Sequence, residues 1–339
     1  MKNDSWDNAH NLLNKFEQNV IKKAFPHAVI GNSILFGSPD ISPNSFEGKI
    51  SPENLFKDTQ YEYIGDGNLL HFTSLFGVKS ILESGFFRLS EFGNLIDTNE
   101  LIYASQVFQD NDLFTPQIQA LDDLKNNVFC LSACKSDEFT IKNTFMWDNY
   151  SDKGRGVSIE FSLTNKNPYS YIIGNLMYGE SSLELLRKLK VLAEKFKIEN
   201  DFFPNNFIEL LLEIQSFHKS LKFEIEKEVR ILFRSDKNKY EDHNHSLIYK
   251  DINSNQEVKY FSKIYIKGRH PMSNSNNIDE MDLFRFYPQI EIKKITFGFN
   301  ISPEKLTQLQ HFFFDLKKKN NYDFELWRIN NEMETIKMC

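Results

Sequence analysis

The sequence reads as an α+β fold, with mixed, mainly antiparallel sheets flanked by helices. Short apolar stretches of strand length recur along its 339 residues: "LLHFTS", "VFCLSAC", "GVSIEFSL", "KIYIKG" and "IEIKKITFGF". Helical spacing is concentrated in one block, residues 180 to about 220, instead of falling once between successive strands, so a doubly wound sheet is disfavoured. No repeat period is visible.

In chain order, residues 1–66 read as a helical and loop-rich accessory segment and residues 67–339 as a single α+β domain. A short amphipathic helix is expected from Trp6 to Phe25, then a loop, "GSPDISPNSFEGKISPE", dense in Ser, Pro and Gly. From Asn68 the strand "LLHFTS", the helix "LFGVKSILES" closed by Gly85 and the extended "FFRLS" make a β-α-β opening. Strands "VFCLSAC" and "GVSIEFSL" follow on either side of "TFMWDNYSDKGRG", in which Gly154 and Gly156 flank Arg155 in a turn. "YSYIIGNLMYG" adds a strand. "LELLRKLKVLAEKF" and "FIELLLEIQSFH" are two helices covering one sheet. The strand "KFEIEKEVRILF" is expected to begin near Phe223 and to lead into a polar insertion, residues 234–260. Then come "KIYIKG", "IEIKKITFGF", a helix opened by "SPEK" after Ser302, and a last strand, "YDFELWRI".

Composition narrows the partners. Phe occurs 32 times against 14 Gly and 10 Pro, so apolar volume is ample and linker material scarce. Lys and Arg number 40 against 47 Asp and Glu; the resulting −7 excludes an unaided grip on nucleic acid or anionic membrane by bulk charge, though not a local basic patch. Three Cys cannot build a disulfide framework. No apolar run has the length of a membrane span, and "MKNDSWDNAHNLLNKFEQ" lacks the apolar centre of a signal peptide, so no membrane partner and a cytoplasmic location are expected.

Several side chains carry candidate chemistry. In "KFEIEKEVRILF" the strand period puts Glu224, Glu226, Glu228 and Arg230 on one face and Phe223, Ile225, Val229, Ile231 and Phe233 on the other. Two carboxylates so placed suit acid-base work or stabilisation of a developing cation; the plainer alternative is a solvated edge face paired with nearby Lys. His71 and Thr73 share a strand face and could hold sugar hydroxyls, or His71 could be an ordinary strand-end histidine satisfied by backbone. Trp147 and Tyr150, three apart on a helical turn, could form an aromatic wall or ordinary core. Cys130 and Cys134 lack the second ligand pair that zinc needs, and the His243 and His245 pair has no nuclease-like surroundings, so no metal is expected. The P-loop, the dinucleotide-binding glycine fingerprint and the serine-hydrolase elbow are all missing.

Taken in order, "LLHFTSLFGVKSILESGFFRLS", "IDTNE", "VFCLS", "FMWDNYSDKGRGVSIEF", "KSLKFEIEKEVRILF" and "IKKITFGFNISPEKLTQL" resemble a bacterial family of unknown function, DUF2971, over residues 68 to 315. Phe223 departs from the Trp more usual in that family. The same layout resembles the ADP-ribosyltransferase superfamily: an early His-x-Thr strand, a helix closed by Gly, a middle strand with Ser and a late strand ending in E-x-E. That resemblance implies NAD as the substrate, with no metal, and a macromolecular acceptor. It makes Glu228 the carboxylate that holds the nicotinamide ribose and Glu226 the group that orients the acceptor. His71 and Thr73 would contact ribose and nicotinamide, Ser132 would mark the middle strand, Arg88 would meet a phosphate, and Trp147 or Tyr150 would stack on nicotinamide. A bacterial toxin or phage-defence effector is the implied biological setting. NAD glycohydrolase activity and a non-catalytic nucleotide- or protein-binding module are the rival expectations.

Overall fold

The computed structural model describes residues 2–28, 30–31, 49–50, 54–65, 67–94, 100–109, 114, 127–164, 171–204, 207–234, 248–252, 258–270 and 288–338. The Ser- and Pro-rich loop, His243, His245 and most of the insertion at 234–260 lie outside them. The elements in chain order begin with α1 (Lys2–Phe16), the short pair β1 (Ile30–Gly31) and β2 (Lys49–Ile50), β3 (Leu69–Thr73), α2 (Leu75–Ser84), β4 (Phe86–Glu91), α3 (Glu100–Ser105) and β5 (Val128–Lys135). Next are α4 (Glu138–Ile141), α5 (Thr144–Tyr150), β6 (Val157–Leu163), β7 (Tyr171–Asn175), β8 (Met177–Tyr178), α6 (Glu184–Asn200), α7 (Phe207–Gln215) and β9 (His218–Lys219). The chain continues with β10 (Glu228–Arg234), β11 (Tyr249–Ile252), β12 (Val258–Tyr265), β13 (Ile290–Phe297), α8 (Pro303–Asn320), β14 (Glu325–Ile329) and β15 (Thr335–Lys337).

This is the α+β architecture expected: one large sheet with helices on both faces. Its strand order is β11-β12-β4-β5-β3-β6-β13-β14-β15, with β10 branching from β5 and carrying β7. Among the described ladders of this sheet, pairing is antiparallel except between β13 and β14; the separate β8–β9 pair is parallel. On one face Val229, Ile231, Phe129, Leu131, Phe87, Ile159 and Phe297 pack beneath α2 and α8, through Leu82, Phe313 and Leu316. On the other face Cys130, Ile172 and Leu232 meet α6 and α7. Into that second cluster also go Phe16, Ile21, Phe25, Phe56 and Tyr61, so the N-terminal segment contributes directly to a core shared with the rest of the chain. Its helix ends at Phe16 and passes into a π-helical turn, Glu17–Ile21.

One local signal acts as the sequence implies: Gly85 ends α2 in the left-handed region at φ 78°. At the other end Ser74 caps the helix by accepting from the Gly77 amide at 3.0 Å. Gly156, by contrast, is demanded by a close approach: a Cβ there would lie 2.3 Å from the Thr73 carbonyl oxygen, where α5 and its turn pack on β3.

One expected strand is shorter than the alternation implies. Residues Leu221–Glu226 form a 3₁₀ turn, Lys227 is left-handed at φ 46°, and the strand starts at Glu228. The reason is the partner's length. β5 ends at Lys135, opposite Lys227, and beyond it no ladder partner holds the chain extended. Glu224 is consequently exposed and Ile225 reaches solvent, so three carboxylates do not line one strand face.

Candidate active site

β5 is paired unequally along its two edges. One edge carries β10 over the whole strand, from Glu228 opposite Cys134 to Arg234 opposite Val128. The other edge is shared: β4 pairs at Cys130 and Phe129, and β3 pairs at Cys134 and Lys135. Leu131, Ser132 and Ala133 therefore face a gap between β3 and β4. A carbonyl in that gap needs a donor, and His71 supplies one, its Nδ1 lying 3.1 Å from the Ser132 oxygen. Since a carbonyl only accepts, the proton is on Nδ1 and the neutral ring keeps Nε2 as an acceptor. Burial lowers the His71 pKa, opposed by the bond to Ser132, so the ring stays neutral at pH 7.

A cleft of about 950 Å³ opens at this gap, near the top of the size range of small-molecule sites, and His71, Ser132, Tyr150, Phe223, Glu226 and Glu228 are among its lining residues. The register puts His71 and Glu228 on opposite faces of the sheet, because Leu70, Cys134 and Glu228 are direct neighbours across the strands. Ser132 joins the two through the gap: its carbonyl takes the imidazole N–H, and its hydroxyl donates to Glu228 Oε1 at 2.5 Å.

The carboxylates are buried, at 3 % exposure each, so a solvated edge face is ruled out for Glu226 and Glu228. They share Lys219, whose Nζ lies 2.9 Å from Glu226 Oε2 and 2.6 Å from Glu228 Oε2. Arg230, fully buried, places Nη2 2.8 Å and Nε 2.9 Å from Glu228 Oε1 and donates through Nη1 to the Ser216 carbonyl. Tyr150 donates its hydroxyl to Glu226 Oε1 at 2.6 Å, and the Glu228 amide donates to the Tyr178 hydroxyl at 2.8 Å. Burial on its own would raise the Glu228 pKa; the Arg230 and Lys219 charges and the bonds from Lys219 and Ser132 overcome it and hold the group down to about 2. Glu228 is thus ionised at any physiological pH. Burial and the two carboxylates push the Tyr150 and Tyr178 phenols and the Cys134 thiol upward, so all three stay protonated.

The remaining expected residues divide. Arg88 lines the cleft at its outer end, bonded to Asp251 at 2.8 Å and standing over the Phe261 ring at 4.3 Å. Tyr150 reaches the cleft, whereas Trp147 does not: it is fully buried beside Phe72 and Phe299, with Nε1 donating to the Ile141 carbonyl at 2.7 Å. An i, i+3 pair spans an arc of the helix, and here the sheet takes one side and the cleft the other. Thr73 is also outside the lining; its hydroxyl is tucked against the first turn of α2, where a Cβ on Gly77 would come within 2.2 Å of it.

Sequence reasoning missed Lys219 and Tyr178. Neither stands out in the chain, since a Lys between "SFH" and "SLKFE" looks like surface charge. The one available signal is the apolar run ending at Phe217, which carries the following residues inward. A family model described as Protein of unknown function (DUF2971) matches residues 146–231. That stretch runs from α5 to the middle of β10 and so includes Tyr150, Tyr178, Lys219, Glu226, Glu228 and Arg230, but neither His71 nor Ser132. No curated protein and no solved structure matches the chain. Among the described residues no helix is long and apolar enough to cross a membrane.

Proposed function

We propose that this chain binds NAD in the cleft and breaks the bond between nicotinamide and ribose, passing ADP-ribose to a macromolecule in the manner of an ADP-ribosyltransferase. One observation carries the reading: an ionised Glu228, a neutral His71 and Ser132 converge on a cleft that also presents the rings of Tyr150 and Phe223. As the glycosidic bond breaks, its electron pair moves to the pyridinium nitrogen and positive charge builds on the sugar carbon. A fixed carboxylate beside that carbon stabilises the transition state more than the ground state. His71 Nε2 offers an acceptor to a ribose hydroxyl, Tyr150 offers a ring face for nicotinamide, and Lys222, with Nζ 4.6 Å from the Phe223 ring centroid, offers a charge to the diphosphate. Such an activity would suit a toxin or defence effector.

The second reading is hydrolysis, with water in place of the acceptor. It is favoured by the state of Glu226, whose two oxygens are already taken by Tyr150 and Lys219 and are not free to orient an incoming nucleophile.

The test is to incubate the protein with NAD labelled in the adenylate half and to follow free nicotinamide and labelled polymer, with and without cell extract. Label on protein or nucleic acid supports transfer; nicotinamide release without labelled polymer supports hydrolysis. Glu228→Gln is expected to abolish release while binding of NAD, followed by calorimetry, persists. Equal behaviour of wild type and variant, with no NAD bound by either, leaves a non-catalytic binding module and overturns both enzymatic readings.

A further inference from the structure

Beyond the cleft, the outer part of the large sheet carries a surface that the cleavage reading does not use. The pairs Phe86↔Tyr265, Arg88↔Lys263 and Ser90↔Phe261 across β4 and β12, and Tyr249↔Phe261 across β11 and β12, put these side chains on one face. Because Ser90 also stands opposite Cys130 of β5, this is the face on which Ser132 and Glu228 lie. Phe86, Arg88, Ser90 and Asp251 line the cleft, so the surface and the cleft are continuous.

Its composition is aromatic rings interleaved with cations. The Phe86 and Phe261 rings are near parallel at 15°, and Tyr249 is stacked on Phe261 at 27°. Lys263 Nζ lies 3.3 Å from the Tyr249 ring centroid and 4.4 Å from that of Phe86. Among the described residues no carboxylate lies within ion-pair distance of Lys263, while Arg88 is shared between Asp251 and the Phe261 ring. Burial and the neighbouring Arg88 lower the Lys263 pKa, as expected for a cation short of counter-charge. A cation held over aromatic rings can meet a phosphate, and rings at strand spacing beside it can serve as stacking platforms.

We propose that the β4–β12–β11 face binds single-stranded nucleic acid, with Lys263 and Arg88 meeting phosphates and Tyr249 and Phe86 meeting bases, and leads the strand toward the cleft. A duplex hides its base faces and cannot use the rings, so single strands are preferred. The overall charge of −7 leaves little non-specific attraction, and binding depends on this patch. That the strand serves as the acceptor rests on the NAD reading; that it binds does not.

The experiment is fluorescence anisotropy of labelled single-stranded DNA and RNA 20-mers and a matched duplex, without NAD, at 50 to 200 mM salt. Wild type is expected to prefer the single strands. Lys263→Gln is expected to weaken them and to reduce the slope of log affinity against log salt by about 0.7, the loss of one phosphate contact, while Lys263→Arg restores the slope. Tyr249→Ala is expected to cost about tenfold with the slope unchanged. The proposal is overturned by absence of binding at 100 μM protein, by equal or tighter binding of the duplex, or by variants that bind like wild type. If NAD binding falls in Lys263→Gln while no oligonucleotide binds, the site belongs to the dinucleotide, and the nucleic-acid proposal fails while the cleavage reading stands.

Discussion

Replacing Lys219 by Met removes the cation that bridges Glu226 and Glu228 and keeps the apolar stem. Both carboxylates are almost fully buried; Arg230 holds Glu228 and the Ser216 carbonyl, and Glu226 keeps the Tyr150 hydroxyl. Breaking a buried ion pair by removing one partner costs about 3–5 kcal/mol, and the variant is expected to lose that much stability at pH 7. The pH dependence adds a sharper signature. In wild type Glu228 is held at about 2 against an ordinary 4.5, so its contribution is complete above 4.5 and is lost as pH falls toward 2; at about 1.4 kcal/mol per pH unit it amounts to about 3 kcal/mol. Without Lys219 the balance reverses, because burial and mutual repulsion push one carboxylate of the pair above its ordinary value. The folded variant then takes up a proton more readily than the unfolded chain, and its deficit relative to wild type shrinks as pH falls from 7 to 5. Urea denaturation of both proteins at pH 7, 6 and 5 measures this difference. A deficit under about 1 kcal/mol, or one that does not narrow toward pH 5, refutes the assignment of Lys219 as the buried bridge.

Other consequences follow from single residues. His218 is fully buried between the Tyr61 hydroxyl at 2.8 Å and the Ser182 hydroxyl at 3.1 Å, and burial lowers its pKa to about 3 from 6.5. Its unfolded form protonates first, so stability is full above 6.5 and falls with pH; between pH 7 and 5 wild type should lose about 2 kcal/mol that His218→Gln does not, measured by urea denaturation. Gly156→Ala drives a methyl toward the Thr73 carbonyl and should cost about 1–3 kcal/mol in the same assay. Trp147→Phe deletes a core hydrogen bond and volume, so it should lower stability by about 1–3 kcal/mol while leaving NAD affinity by calorimetry unchanged, the opposite of what a stacking residue would show.

The elements legible in the sequence are those whose signals are local. Gly85 closes α2, Ser302 and Pro303 open α8, and Val229, Ile231 and Phe233 alternate into the core as β10 requires. Residues 223–226 depart from the expected strand because alternation alone does not report where a partner strand stops, and because Lys227 takes a left-handed conformation that no glycine announces. In the site, Glu226 and Glu228 were visible as a carboxylate pair, but the geometry that unites them was not. Lys219 and Tyr178 arrive from 7 and 50 residues away through the fold of β8 and β9. Which of Trp147 and Tyr150 faces the cleft depends on how α5 sits against β3, a tertiary choice that helical spacing leaves open.

The carboxylates owe their pairing to the turn that interrupts the expected strand. In a continuous strand Glu226 would sit two places before Glu228, beyond the end of β5 and open to solvent. The left-handed Lys227 folds it back, so that one ammonium spans both groups. With Lys219 and Arg230 the cluster sets two carboxylates against two basic side chains, which offsets the cost of burying them together. The same balance limits the field that Glu228 exerts on a bound ligand: while both cations hold it, a developing positive charge sees a compensated anion. Catalysis by Glu228 would therefore call for a ligand that draws Lys219 toward Glu226 or toward its own phosphates, which frees Glu228 Oε2 while Oε1 stays with Ser132 and Arg230. If β5 were fully paired on both edges, Ser132 would bond to a strand, His71 would have no carbonyl to meet, and the cluster would be sealed. The gap between β3 and β4 is what turns a buried ion network into a site that a ligand can enter.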